Sequence, residues 1–277
     1  FGLGGWTWWS YLQTQAGVVA HYLRLAIVPT PLVFDYEWPR AGSFGEVAPQ
    51  ALLLVALLAG TIVAVIRRHP LGFAGAWFFL ILAPTSSILP IPTEVAAEHR
   101  CYLPVAAIIM LAIAGLDLFG RRVLFRRGRR GNRSEGRAAL VPTFVAGVVV
   151  AVMFGTMTYA RNRVYWTDEG LMRDTVEKRP LNIRARVAYG ADLLAAQRFA
   201  EAEGELAVAA RLEGSDKAHA QANMYFGSAL CAQGKTDEGI AHLRRALSLD
   251  STLSEAHALL GEAYASQGAL RLAATHF

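Results

Sequence analysis

The sequence predicts an all-α protein in two parts, multi-spanning transmembrane helices followed by a helical solenoid. Three observations carry this. The chain is 54% hydrophobic and only 18% charged, with mean hydropathy +0.31, where soluble domains average about 25% charged residues. Uncharged runs long enough to cross a bilayer alternate with clusters of charge. From about residue 182 the sequence turns Ala-rich and amphipathic and begins to repeat itself. It opens without Met and stops inside a predicted helix, so it reads as a fragment cut at both ends.

Residues 1–46 read as an extracytoplasmic, interfacial segment. Trp6, Trp8, Trp9 and Tyr11 cluster as an aromatic belt does at a membrane surface. The stretch "AGVVAHYLRLAIV" is apolar apart from His21 and Arg24, which suits a helix lying in the interface. "PTPLVFDYEWP" is a proline-bounded loop carrying Asp35, Tyr36 and Glu37. Residues 47–160 form a membrane domain with four spans, about 47–66, 70–90, 101–120 and 138–160. Each approaches the roughly 20 residues that a hydrocarbon core of about 30 Å requires. Three prolines in "APTSSILPIP" stop the second helix near Ala83, because proline lacks a donor and disfavours helix before it.

Arginine sets the orientation. The Arg67–Arg68 turn and the eight arginines of "RRVLFRRGRRGNRSEGR" (121–137) belong on the cytoplasmic side. The net charge of +5 and pI of 9.4 are therefore a matter of topology, and nucleic acid is excluded as a partner. The loop "EHRCYLP" and everything after Arg161 then lie outside the cytoplasm. Arg-, Ala- and Gly-rich usage points to a bacterial inner or plasma membrane. Cys101 and Cys231 fall in segments of different character and support neither a disulfide nor a metal knuckle.

Residues 161–181 connect the two parts, with Trp166 as an interfacial anchor and Thr167 as the N-cap of a helix opened by Asp168 and Glu169. Over residues 182–277, "MYFGSALCAQGKTDEGIAHLRRAL" aligns with "ALLGEAYASQGALRLAATHF". Gly227 falls over Gly261 and Gly234 over Gly268, each 34 residues apart, the tetratricopeptide length. An earlier copy places Gly190 37 residues before Gly227, its three extra residues assigned to the loop around "GSDKAHA". Gly190, Gly227 and Gly261, facing Ala202, Gly239 and Ala273, are the expected close-packing positions, with Gly234 and Gly268 counted among them. Leu193, Leu230 and Tyr264, with Leu206, Leu243 and Phe277, are expected to fill the core. The aromatic that usually opens the first helix is replaced by Arg186, Asn223 and His257, and Ser251 stands in place of the proline between repeats. Arrays of this kind expose a concave groove for protein or extended peptide; a spacer or brace is the alternative.

"TQAGVVAHYLRLAIVPTPLVFDY", "APTSSILPIPTEVAAEHRCYLP", "RNRVYWTDEGLMRDTVEKRP" and the repeats, in that order, resemble the GT-C superfamily of membrane glycosyltransferases that carry C-terminal tetratricopeptide repeats. The eukaryotic members are the transmembrane and tetratricopeptide repeat-containing O-mannosyltransferases. This chain reads Glu98-His99-Arg100 and then Tyr102-Leu103-Pro104-Val105, where the eukaryotic pattern has Glu-Arg before Tyr-Leu-Pro-Ser. The resemblance implies transfer of a sugar, mannose among them, from a polyprenyl-phosphate donor in the membrane lipid to an extracytoplasmic acceptor, with the repeats recruiting a protein. Arg100 and His99 would meet the donor phosphate, since a guanidinium offers two parallel hydrogen bonds. Glu98 would orient Arg100, and Tyr102 would bond at the interface. The catalytic acid of the family sits in a loop nearer the N-terminus, so no catalytic residue is named here. The plainer reading of these residues is a helix cap solvated among headgroups.

Arg24 either joins the donor site or snorkels to headgroups. Asp35 either binds a divalent cation or an acceptor, or is an ordinary turn acid. Glu94, Glu98 and His99 match no zinc spacing, and no metal site is assigned. A non-enzymatic, membrane-anchored repeat scaffold is the alternative function.

Overall fold

The computed structural model describes residues 7–84, 86, 95–96 and 133–277, and all regular structure among them is helical. By contact the chain divides into two units, Phe1–Leu32 with Glu37–Asn162, and Val33–Tyr36 with Arg163–Phe277.

In the first unit, α1 (Trp8–Ile27) begins at a reciprocal cap. Thr7 Oγ1 accepts from the Ser10 amide at 3.1 Å, and Ser10 Oγ accepts from the Thr7 amide at 3.0 Å. Trp8, Trp9 and Tyr11 of the predicted aromatic cluster thus lie in the first turn of this helix. Trp8 and Trp9 point outward, while Tyr11, Val18, Tyr22 and Leu25 are buried on the other face. α2 (Phe44–Ile66) is exposed along almost its whole length. Among the described residues it is the one helix long and apolar enough to cross a membrane.

α3 (Pro70–Ala83) starts with proline at its first turn and stops where Pro84 begins, as the proline run predicts. Its 14 residues rise about 21 Å, and the rest of the predicted 70–90 span, residues 85 and 87–90, lies outside the described residues. α2 and α3 approach closely because α3 carries glycine at the contact. A Cβ on Gly72 would lie 2.6 Å from the Val65 amide nitrogen, and one on Gly75 would lie 2.3 Å from Thr61 Oγ1. α4 (Arg133–Val164) is a single helix covering the fourth predicted span. The third, 101–120, lies outside the described residues.

In the second unit, α5 (Asp168–Lys178) is capped by Thr167, whose hydroxyl accepts from the Gly170 amide at 3.1 Å. Asp168 and Glu169 sit at the positive end of its dipole. Three helix pairs come next: α6 (Ile183–Ala195) with α7 (Phe199–Ala209), α8 (Asp216–Ala232) with α9 (Thr236–Leu249), and α10 (Ser254–Ser266) with the short α11 (Leu270–Ala273). The small residues are where the helices of each pair meet. A Cβ on Gly190 would strike Leu206, one on Gly227 the Gly239 carbonyl and Leu243, and one on Gly261 the Phe277 ring. Ala202 and Ala273 are buried, as are Leu193, Leu230, Leu206, Leu243 and Tyr264.

Two expectations are corrected. Gly234 and Gly268 do not pack: a Cβ on either meets nothing within 4 Å, and what they supply is φ of +81° and +76° in the turn between paired helices. The three extra residues before the middle repeat do not simply lengthen a loop. The connection 210–215 is two residues longer than 250–253, α7 ends early at Ala209, and α8 starts about one turn early, capped by Ser215, whose hydroxyl accepts from the Ala218 amide. Phe277 touches Gly261 with its ring and is 77% exposed.

Candidate functional site

Of the residues predicted for a lipid-phosphate site, Glu98, His99, Arg100 and Tyr102 lie outside the described residues, as does Glu94. The stretch just before them is seated on α1: Gln15 Nε2 donates to the Val95 carbonyl at 3.0 Å, and Val95 and Ala96 are buried. Arg24 is exposed on the last turn of α1. Asp35 belongs to the second unit, where it is ion-paired with Arg184. The first unit also holds an apolar cleft of roughly 390 Å³ between α1, α2 and α3. A Cβ on Gly60 would meet open space there, and the Thr61 hydroxyl is already spent on the Leu57 carbonyl at 2.8 Å. That lining can hold hydrocarbon and little else.

In the second unit the first helices of the repeats, α6, α8 and α10, touch one another in sequence along the array, and the second helices make no comparable row. The first helices therefore form the inner, shorter-radius wall. At the α6 end, Val33–Tyr36 is seated as a strap. Val33 is fully buried and Tyr36 nearly so. Asn182, the N-cap of α6, accepts from the Ala185 amide through Oδ1 and donates from Nδ2 to the Asp35 carbonyl at 2.9 Å. Arg184 holds the Asp35 carboxylate at 2.8 Å, the Arg179 guanidinium lies 5.4 Å over the Tyr36 ring, and Phe34 meets Tyr165 edge-on. One side chain reads the main chain, one the acid and one the aromatic. This is peptide recognition in miniature, applied to the chain's own segment.

The residues replacing the opening aromatic all find partners 19 residues on, on the paired second helix in the first two repeats and just past α11 in the third. Arg186 pairs with Glu205. Asn223, buried in α8, accepts at Oδ1 from His242 Nδ1 at 2.9 Å while its Nδ2 donates to the His219 carbonyl. His257 and His276 meet Nδ1 to Nδ1 at 3.0 Å. Sequence reasoning registered the missing aromatics and missed these ties. The signal was the recurrence of a polar residue at the partner position, Glu205, His242 and His276, at the period of the glycines.

Charges elsewhere brace neighbouring elements. Arg198 bonds Glu169 and Glu201, which ties α7 to α5. Lys235 and Gln233 both reach Glu203 at 2.8 Å and hold its carboxyl below the usual range. Burial, then Asp168 and Glu169, push the Asp192 carboxyl up. Burial raises the Cys231 thiol, so it is a packing residue against Gly239 and not an activated nucleophile. Among the described residues no three His, Cys, Asp or Glu side chains converge as a metal site would require.

A TPR repeat family profile matches residues 227–268, which include the end of α8 and all of α9 and α10. A solved structure titled "MamA RS-1 ArsTM double mutant" aligns over 58% of this chain and 90% of its own, at 22% identity and a TM-score of 0.35. No curated protein matches this sequence. The second half of the chain contains tetratricopeptide repeats, a scaffold for protein–protein interaction.

Proposed function

We propose that this chain is a membrane-anchored scaffold whose tetratricopeptide array holds a protein or peptide segment along the wall of α6, α8 and α10. The observation that carries the reading is the strap: Asn182, Arg184 and Arg179 already hold a non-helical stretch of main chain by its carbonyl, acid and aromatic groups. The anchor is α2 with the other predicted spans, and the array lies outside the cytoplasm of a bacterial inner or plasma membrane. A photo-crosslinking residue at Gln221, on α8, is expected to give a discrete adduct in native membranes, and the same probe at Arg245, on the outer helix α9, to give none. Equal labelling at both positions, or none at either, overturns the reading.

The sequence resemblance carries a second reading, a GT-C glycosyltransferase using a polyprenyl-phosphate sugar and recruiting its protein acceptor through the repeats. In its favour, Gln15 seats the stretch that leads to Glu98, His99 and Arg100 on α1. Arg100→Ala and Glu98→Ala in the full-length protein, at normal membrane levels, would abolish sugar transfer on this reading. Undiminished transfer by both variants removes those residues from it.

A further inference from the structure

We propose that the C-terminal repeat is an acid-sensitive joint, opened by protonation of the His257–His276 pair, while the two repeats before it keep their cross-helix bonds. The three ties occupy equivalent positions but differ in how many protons they tolerate. Arg186–Glu205 is an ion pair that contains no imidazole. In the middle repeat, Asn223 donates its amide to the His219 carbonyl, so its Oδ1 can only accept and His242 Nδ1 must carry the hydrogen. A proton added to His242 then goes on Nε2 and leaves the bond to Asn223 in place.

The last pair cannot do this twice. His257 Nε2 faces the Ser251 carbonyl at 3.4 Å, which assigns its hydrogen to Nε2 and leaves Nδ1 bare. His276 therefore donates Nδ1–H to His257 Nδ1. A first proton enters His276 at Nε2 and keeps that bond. A second has only His257 Nδ1 to occupy, and it turns the shared bond into two donors, on two cations, face to face. The two protons leave as a coupled pair.

The surroundings oppose a proton on His276. From α10 the Tyr264 ring stacks on His276 at 5.8 Å, and from α9 Arg244 lies over that same ring. Burial is the largest influence on His276, and the charges acting on it, those of His257 and Arg244, are both positive, so the imidazole is held below its ordinary value. With the folded value depressed, the unfolded chain binds more protons in acid. The stabilisation is complete above about pH 6.5 and is lost as pH falls below it. In the middle repeat burial and then Arg245 lower His242 while Glu238 raises it, but a proton there leaves the bond to Asn223 in place.

Hydrogen–deuterium exchange on the full chain in detergent micelles, at pH 7.5 and 5.0 with intrinsic rates corrected, tests the joint. Protection in α10–α11 should fall at least about fivefold in acid, with a smaller loss in α8–α9 and none in α6–α7. His257→Asn rebuilds the Asn–His tie of the middle repeat and should abolish most of the acid loss while keeping protection at pH 7.5. His276→Asn serves the same purpose should that variant fail to fold. An acid loss that is uniform across the three repeats, absent from the parent chain, or undiminished in a folded variant overturns the proposal.

Discussion

A glycine is informative here only through what its missing Cβ would meet. At Gly227 the obstacle is the Gly239 carbonyl at 2.8 Å and the Leu243 amide nitrogen at 3.1 Å, backbone that cannot rotate aside. At Gly261 it is the edge of the exposed Phe277 ring. Gly227→Ala should therefore destabilise the array by about 2 kcal/mol, and Gly261→Ala by well under half of that, read from denaturant unfolding of the second unit. Gln197 stands where Gly234 and Gly268 stand in the later repeats, and it too has positive φ, +60°. Gln197→Gly is expected to stabilise by about 1 kcal/mol; a loss of stability would mean the side chain contributes more than the backbone strain costs. The recurrence of glycine every 34 residues was plain in the sequence, but period alone cannot separate a glycine needed for close approach from one needed for a left-handed turn. Gln197, which breaks the run, is the residue that shows the difference.

At the scale of elements, the strap is the main departure from what the sequence offered. Four residues separated from α6 by nearly 150 positions complete the end of the array, and no local pattern announces such a contact. "PTPLVFDYEWP" reads correctly as a proline-bounded loop, yet the buried members are Val33 and Tyr36, and the exposed-looking acid is the one that finds an arginine. The energies separate in the same way. Tyr36→Ala removes a buried aromatic and should cost about 3 kcal/mol of second-unit stability. Asp35→Ala breaks an ion pair whose arginine side chain is 43% exposed, and should cost less than about 1 kcal/mol. Comparable losses would mean that the carboxylate, and not the ring, seats the strap. Elements with local signals were legible to within a turn: Thr167 capping α5, Pro84 ending α3 and the paired repeat helices. The early start of α8 was not, because "GSDKAHA" combines a turn signal with an N-cap and the second one prevails at Ser215.

For the whole molecule the open quantity is which side of the membrane carries the array, and parity constrains it more tightly than any one helix. Arg67 and Arg68 come directly after α2, and eight arginines crowd 121–137; if both face the cytoplasm, the chain between them crosses an even number of times. Because α3 is too short to cross as a helix, that number is either zero or two, the second requiring the stretch beyond Ala83 to complete the passage. Either number leaves the path beyond the arginine-rich loop the same. α4 runs unbroken from Arg133 to Val164, about 48 Å of helix, and residues 138–160 within it carry no charge. One crossing there places α5 and every repeat opposite the arginine-rich loop. Reporter fusions after residues 130 and 181 are thus expected to read cytosolic and non-cytosolic, respectively. A third fusion near residue 95 separates zero crossings from two without affecting the other pair. Should the 130 and 181 fusions report the same compartment, 138–160 does not span, and the array would have to find its partner on the cytoplasmic side.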